Sequence, residues 1–320
     1  MAEIGTDIQK AKDIIENGGL VAIPTETVYG LAANALNPEA IASVYRTKSR
    51  PSFDPLIAHL PSIEQAERYT LTWTQKASKL ATKFWPGPLT LLLPKRDIIP
   101  DMVTSGLQNV AVRIPKNKLT LELLDRLTVP LVAPSANPFG YVSPTSPVHV
   151  NDQLGGKIPY ILDGGSCNIG LESTIIGFDK KDNATVYRLG GLDLKTINNE
   201  IGYVKVTAHS SSNPKAPGML KSHYSPSVTV RMGDISQRLE SIENVNRVGV
   251  ISFQKEIEAI PLKNQVVLAP DGDTSTAAKN LFSALRYMDT LDIDILLVEP
   301  VPDRGLGRAV NDRLTRAAAT

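Results

Sequence analysis

The sequence predicts an α/β protein of two domains, with a mixed sheet in the first and a small parallel sheet in the second. Short apolar segments bounded by Pro, Gly, Asn and Ser recur up to about Gly191, with only a few helical patterns among them. Near residue 205 the composition changes, and beyond it strand and helix patterns alternate regularly. We therefore expect domains at 1–204 and 228–320, joined by a linker at 205–227.

Length and composition support this class. At 320 residues the chain is long enough for two ordinary domains, and its 42% hydrophobic and 21% charged residues exclude disordered and collagen-like proteins. A net charge of +1 provides no overall attraction to nucleic acid or anionic lipid. One cysteine excludes an internal disulfide, and no apolar run has the length of a signal core or a membrane span. We expect a soluble cytoplasmic protein.

The first helix is predicted over 7–17, where two glycines end it, and the strand "LVAIP" follows. "NPEAIASVYRTK" predicts the second helix, because Asn37 is a good N-cap and Pro38 suits the first helical position. "TQKASKLATKF" predicts a third helix, which Pro86 ends. The other strands predicted here are "PLIAHL", "LTLLLPK", "VAVRIP", "PLVAPSAN", "YILDGG" and "ESTIIGF". Because strands outnumber helices, these segments favour a mixed sheet over a simple doubly wound order.

The second half begins after "AHSSSNPKAPGMLKSHYSP", which is rich in Ser, Pro and Gly, shows no regular period and is typical of a linker. The strands predicted beyond it are "SVTVRM", "RVGVISF", "QVVLAP" and "IDILLVEPV". Helices are predicted from Asp234, from near Thr274 and at the end of the chain through Arg316. This alternation indicates a small Rossmann-like parallel sheet.

The segment "PTETVYGLAANA", residues 24–35, follows a buried strand and has the hydroxyls and the glycine of a ligand loop. Several familiar catalytic motifs are missing from the chain. It contains no GxxxxGK[ST] phosphate loop, and "GGSCN" falls short of the GxSxG nucleophile motif. One cysteine and four scattered histidines disfavour thiol and zinc chemistry. The remaining candidates are cations and hydroxyls on loops that follow strands.

Each candidate also has a purely structural interpretation. Lys48 and Arg50 either complement the dipole of the helix that they end or bind phosphate or carboxylate. Arg113, inside an apolar strand, either points outward at an edge or enters a polar site that needs its charge. Turn, strand-edge or core roles are the alternatives for Ser135, Asn137, Glu172, Ser173, Thr174, Arg188 and His59. Taken together, these residues indicate a concave site suited to polyanionic and zwitterionic small molecules.

The motifs then occur in a familiar order: "PTETVYGLAANA", "KSRPSFDPLIAHL", "WPGPLTLLLP", "VAVRIP", "PLVAPSAN", "SPT", "ILDGG", "ESTII" and "YRLGG". This order resembles the YrdC-like domain of the threonylcarbamoyl-AMP synthase family. The linker "APGMLKSHYSP" and the C-terminal α/β module resemble the two-domain form of that enzyme, so the resemblance covers nearly the whole chain. It implies a nucleotidyltransferase that joins L-threonine, bicarbonate and ATP into threonylcarbamoyl-AMP and releases pyrophosphate. A partner complex would then transfer the threonylcarbamoyl group to tRNA.

The resemblance also implies roles for individual residues. The catalytic residues would be Lys48, Arg50, Ser135 and Asn137. Those lining the threonine pocket would be Thr27, His59, Arg113, Ser135 and Ser173. Those around ATP would be Lys48, Arg50, Asp54, Asn109, Asn137, Thr145, Arg188, His223 and Tyr224, the last two folding back from the linker. Asp54 stands where the family often has Asn. Mg²⁺ would be held by the phosphates and water, without protein ligands.

Two other functions compete with this interpretation. One is an RNA-binding module without catalysis, which the near-neutral charge and the lack of basic runs interleaved with aromatic residues disfavour. The other is a transferase that uses carbamoyl phosphate or a preformed carbamoyl adenylate. The sequence leaves direct tRNA binding open.

Overall fold

The computed structural model describes residues 1–207, 216–217, 219 and 224–319, and it divides into two compact units. The first unit comprises Met1–Phe139, Ser143–Asn168 and Glu172–Leu220. The second comprises Gly140–Val142, Ile169–Leu171 and Lys221–Thr320. Two short segments that lie between stretches of the first unit therefore belong to the second unit. Much of the predicted linker lies outside the described residues.

The first unit is built on an 11-stranded sheet with the order β1-β8-β2-β3-β7-β4-β6-β5-β9-β10-β11. Its strands are β1 Glu3–Gly5, β2 Val21–Ile23, β3 Gly30–Asn34, β4 Ile57–His59, β5 Leu89–Pro94, β6 Asn109–Arg113, β7 Leu131–Val132, β8 Tyr160–Leu162, β9 Thr174–Phe178, β10 Ala184–Arg188 and β11 Lys205–Val206. Strand β6 runs parallel to β4 and antiparallel to β5. The predicted mixed sheet is confirmed.

The helices of the first unit are α1 Ile8–Glu16, α2 Pro38–Lys48, α3 Ile63–Glu67, α4 Gln75–Phe84, α5 Asp101–Thr104, α6 Lys118–Arg126, α7 Pro147–Leu154 and α8 Leu194–Ile201. The predicted start of α2 is confirmed, since the Asn37 side chain accepts from the amides of Glu39 and Ala40. The main core includes Val44 of α2, Leu80 of α4 and Ile197 of α8, which lie in one apolar cluster with sheet residues.

The predicted ligand loop is shorter than the sequence indicates. Gly30–Asn34 forms β3, which pairs antiparallel with β2, so that only residues 24–29 remain a loop. The small apolar residues of β3 are buried on both faces and therefore lack the alternation that marks a half-exposed strand. Gly30 itself packs against Ala133, the residue that follows β7, since a Cβ atom at Gly30 would lie 3.0 Å from the Cβ of Ala133.

The second unit contains a four-stranded sheet with the order β12-β15-β13-β14, in which every pairing is parallel. In chain order its elements are β12 Thr229–Met232, α9 Ile235–Leu239, β13 Val248–Ser252, β14 Gln265–Val267, α10 Thr274–Met288, β15 Ile295–Val298 and α11 Gly307–Ala317. Short 3₁₀ turns precede β13 and β14. The predicted parallel sheet is confirmed. Across the described chain, no helix has the length and apolar character needed to cross a membrane.

Candidate active site

Neighbouring strands of the first unit place polar side chains in one row on one face of the sheet. The strands follow the order β4-β6-β5-β9-β10. His59 pairs with Arg113, and Thr90 and Arg188 both pair with Ile175. Side chains of paired residues point to the same face. The loops and strand ends along this row therefore hold the candidate site.

Arg113 is a buried cation with a buried partner. Its Nη2 atom donates to Glu26 Oε1 at 2.7 Å, and its Nε atom donates to the carbonyl of Gly87 at 3.3 Å. The second carboxylate oxygen of Glu26 accepts from the amide of Lys116 at 2.9 Å. Because β6 lies between β4 and β5, Arg113 is not on a sheet edge, which excludes the interpretation that it points outward at an edge. Glu26 was not among the predicted site residues.

His59 is buried beside Arg113 and is held neutral. Its Nδ1 atom lies 3.2 Å from the carbonyl of Ile57, which can only accept; a proton on Nδ1 satisfies this contact, and in that tautomer Nε2 is an acceptor. Burial, and then the positive charge of Arg113, lower the pKa of His59 to about 3. At neutral pH this side chain therefore presents a lone pair and no charge.

Arg188 orients a pair of hydroxyl groups. Its Nε and Nη2 atoms donate to the carbonyl and to the Oγ of Ser173, both at 3.0 Å. The Ser173 Oγ also lies 2.7 Å from Thr90 Oγ1. Gly190 permits this arrangement, because a Cβ atom there would lie 2.2 Å from the carbonyl oxygen of Glu172. Thr90 was missed by the sequence analysis, although a lone hydroxyl in the apolar strand "LTLLLP" is a signal for it.

Thr27 lies in the loop between β2 and β3. Hydrogen bonds among residues of this loop, and one to Gly165, hold it in place. The hydroxyls of Thr25 and Thr27 are 2.7 Å apart, and Thr25 Oγ1 donates to the carbonyl of Val28 at 2.6 Å. The hydroxyl of Tyr29 donates to the carbonyl of Gly165 at 2.8 Å. These buried bonds fix the loop and the hydroxyls that it carries.

A second group of predicted residues gathers around Lys48. Its buried ammonium group donates to the carbonyls of Ser135 and Asn137, so the end of α2 holds the loop that follows β7. Burial, and then the charge of Arg50, lower the pKa of Lys48 well below its ordinary value. The amide of Phe139 donates back to the Lys48 carbonyl at 2.8 Å. Lys48 therefore positions the backbone of the Ser-Ala-Asn segment.

Arg50 lies beside this group and is paired with Asp54. Its Nη2 atom is 2.9 Å from Asp54 Oδ2, and its Nε atom donates to the Asp54 carbonyl at 3.1 Å. Nη2 also donates to the carbonyl of Pro55 at 2.8 Å, and the guanidinium lies over the ring of Phe139. The structure thus brings Lys48, Arg50, Asp54, Ser135 and Asn137 into one cluster.

Other predicted residues lie further apart. Asn109 begins β6 and Arg113 ends it, which separates them by about 13 Å at roughly 3.3 Å per strand residue. Thr145 is buried next to α7, where its amide donates to His149 Nδ1 at 3.2 Å. Its carbonyl accepts from the amide of Cys167 at 2.8 Å.

Two residues of the linker, His223 and Tyr224, were predicted to contact ATP, and the structure describes only Tyr224. His223 lies outside the described residues. Tyr224 belongs to the second unit, where it is buried with its ring 5.4 Å from that of Phe282. The guanidinium groups of Arg313 and Arg316 lie over the same ring, at 5.2 Å and 4.8 Å from its centroid.

An apolar strip lies beside the polar row, on the same strands. It is formed chiefly by Ile57, Leu92, Ala111 and Ile175, and it packs against two residues of the predicted linker, Ala216 and Met219. Both linker residues are assigned to the first unit and are buried. Ala216 and Met219 therefore cover this strip.

The chemistry open to the site follows from its groups. Among the described residues, no three His, Cys, Asp or Glu side chains gather to hold a metal ion. The Cys167 thiol is buried, and burial followed by the charge of Glu26 raises its pKa to about 12, so it stays protonated at neutral pH. What the site offers is oriented guanidinium groups, hydroxyls and a neutral imidazole, which suit the binding of a small zwitterion or anion.

Comparisons with known proteins point to the same family along nearly the whole chain. Residues 13–190 match the Sua5/YciO/YrdC family model, described as "Telomere recombination", and residues 192–319 match "Threonylcarbamoyl-AMP synthase, C-terminal domain". A threonylcarbamoyl-AMP synthase of Pyrococcus abyssi is 41% identical over 97% of this chain and 94% of its own length. One of Bacillus subtilis is 37% identical, over 97% and 92%. The crystal structure of Pyrococcus abyssi Sua5 complexed with L-threonine is similar with a TM-score of 0.89, at 38% identity over 99% of this chain and 97% of that one.

Proposed function

The chain belongs to the threonylcarbamoyl-AMP synthase family, and from this membership we propose that it forms L-threonylcarbamoyl-AMP and pyrophosphate from L-threonine, bicarbonate and ATP. The observation that carries the proposal is the buried pair of Arg113 and neutral His59 on adjoining strands. Arg113 offers N–H donors held in fixed directions, and His59 offers a hydrogen-bond acceptor. The Pyrococcus abyssi relative was crystallised with L-threonine, which supports this amino acid as the substrate.

Threonine has a carboxylate, an ammonium group and a hydroxyl, and the row has a partner for each kind of group. Among the bonds of the described residues none uses Nη1 of Arg113, so its donors are available to a carboxylate, in a charge-assisted bond worth about 1.5–3 kcal/mol. His59 Nε2 can accept from the hydroxyl or the ammonium group. Ser173 and Thr27 complete the pocket with hydroxyls held in place by their neighbours.

The proposed reaction needs no protein nucleophile. The threonine ammonium group first loses a proton to solvent. The amine then attacks carbon dioxide to give a carbamate and a second proton; attack on bicarbonate gives the same carbamate and releases water. A carbamate oxygen then attacks the α-phosphorus of ATP, and pyrophosphate leaves. Positioning and charge neutralisation supply the catalysis. Because carbamates decompose in water, the strip covered by Met219 serves to keep the pocket dry.

We propose that the Lys48 cluster binds the nucleotide. Lys48 holds the loop of Ser135 and Asn137, and Arg50 is held by Asp54. Among the described residues no acceptor bonds Nη1 of Arg50, which leaves those donors for phosphate oxygens. The rest of the proposed ATP set is Asn109, Thr145, Arg188, His223 and Tyr224. Mg²⁺ would arrive with ATP, bound by phosphate oxygens and water, and would offset the phosphate charge.

The test is incubation of the chain with ATP, Mg²⁺, L-threonine and labelled bicarbonate. We expect a labelled adenylate that forms only when threonine is present. Tight RNA binding without any adenylate would favour the binding module. Product formation from carbamoyl phosphate, with no requirement for bicarbonate, would favour the other transferase. We further propose that the product serves a tRNA threonylcarbamoyl transfer complex in the cytoplasm.

A further inference from the structure

We infer that Glu26 is a positioning residue, which sets the orientation in which Arg113 meets the carboxylate of threonine. The inference deepens the proposed function and rests on it for the identity of the ligand. It starts from a buried ion pair whose acidic member has no role among the implied site residues. Glu26 is 8% exposed and Arg113 is 4% exposed.

Glu26 uses both of its carboxylate oxygens. Oε1 accepts from Arg113 Nη2 at 2.7 Å, and Oε2 accepts from the backbone amide of Lys116 at 2.9 Å. The second bond ties the carboxylate to the main chain immediately after β6, the strand that Arg113 ends. A glutamine could accept at only one of these two places, because its second terminal atom is a donor. The site therefore requires a carboxylate.

The loop that carries Glu26 is itself fixed at several points. Thr120 Oγ1 donates to the carbonyl of Pro24 at 2.5 Å, and Thr25 Oγ1 accepts from the amides of Thr27 and Val28, both at 3.2 Å. Pro24 packs so closely on Gly164 that a Cβ atom at this glycine would lie 2.6 Å from the proline ring. The carboxylate of Glu26 thus extends from a rigid support.

Two bonds then determine the plane of the guanidinium group. Nη2 is held by Glu26 and Nε by the carbonyl of Gly87, so that the planar group cannot turn about its long axis without losing one of them. Among the described residues Nη1 has no acceptor, and the direction of its donors is set by the other two nitrogens. Recognition of a carboxylate depends on such a fixed direction.

The alternative is that Glu26 serves only as a counter-charge to Arg113. The two roles predict opposite results when the negative charge is removed. A counter-charge weakens the attraction of the site for an anion, so its removal should tighten threonine binding. Loss of a positioning contact should weaken threonine binding, even though the site becomes more positive.

The experiment measures L-threonine binding to the full chain by calorimetry, for the wild type, Glu26→Asp and Glu26→Gln. Aspartate keeps the charge and both acceptors but draws them back by one methylene, so the guanidinium must move while staying paired. Glu122→Gln is the control, because it breaks an exposed pair with Arg126 by the same change. A non-hydrolysable ATP analogue and thermal unfolding are measured in parallel.

We expect threonine binding at least tenfold weaker in both Glu26 variants, with unchanged binding of the ATP analogue and with wild-type behaviour of Glu122→Gln. Glu26→Gln leaves a buried charge without its partner, so if it fails to fold the decision rests on Glu26→Asp. Wild-type affinity for threonine in Glu26→Asp, or tighter binding in Glu26→Gln, would overturn the inference about Glu26 and leave the proposed function standing. If the wild type binds no threonine, the proposed function falls, and the inference falls with it.

Discussion

Acidification should destabilise the first unit through His59. In the unfolded chain this histidine has its ordinary pKa of 6.5, whereas burial and Arg113 lower the value in the folded chain to about 3. Between these two values the unfolded state binds more protons than the folded state, so the free energy of unfolding falls as the pH falls. From pH 7 to pH 5 the contribution of this one residue amounts to about 2 kcal/mol.

The measurement compares urea unfolding of the wild type and of His59→Asn at the two pH values. Asparagine does not titrate, and it keeps an N–H donor near the position of Nδ1. Fluorescence of the two tryptophans, Trp73 and Trp85, reports on unfolding of the first unit, which contains both of them and His59. Changes at all other titrating groups cancel when the two proteins are compared.

We expect the wild type to lose about 2 kcal/mol more than the variant between pH 7 and pH 5. Equal losses in both proteins would refute the reasoning, because they would show that His59 takes up its proton without unfolding the chain. Threonine binding gives a second check. With His59 neutral throughout, the affinity should show no inflection near pH 6.5.

Three further predictions concern other parts of the site. Arg50→Ala should lower threonine-dependent pyrophosphate release about 100-fold, near 2.7 kcal/mol, and wild-type turnover would remove Arg50 from the mechanism. Gly190→Ala should abolish threonine binding in calorimetry, because its Cβ would lie 2.2 Å from the Glu172 carbonyl oxygen; Gly156→Ala, with nothing within 4 Å, is the control and should bind normally. Met219→Asp should reduce the yield of labelled adenylate by placing a charge on the apolar strip, and an unchanged yield would show that this cover is dispensable.

The elements that the sequence predicted correctly are those with local signals. Asp7 caps α1 and Asn37 caps α2 through bonds to amides two or three residues away, which a short window of sequence contains. β3 was missed because its pairing partners, β2 and β7, are specified by the sheet and not by its own residues. Burial on both faces also removed its period of two.

The same contrast between local signals and partners distant in the chain holds for the site. The motifs pointed to the residues that the structure gathers, Lys48 with Ser135 and Asn137, and His59 with Arg113. What the sequence alone could not reveal was how charges are paired. Nothing in the chain between Glu26 and Arg113, 87 residues apart, indicates that one neutralises the other.

The polar row has a consequence for how the protein folds and is made. Its contacts join distant parts of the chain: Ser173 meets Thr90 across 83 residues, and Lys48 meets Asn137 across 89. Such high contact order slows folding, since large loops must close before the contacts form. A ribosome-bound chain that ends before Arg188 lacks part of the row, so under the proposed function the ability to bind threonine should emerge only after more than half of the 320 residues have been made. Bound threonine would then stabilise the first unit only once that unit is complete, and by mass action it would raise the resistance of the unit to proteases.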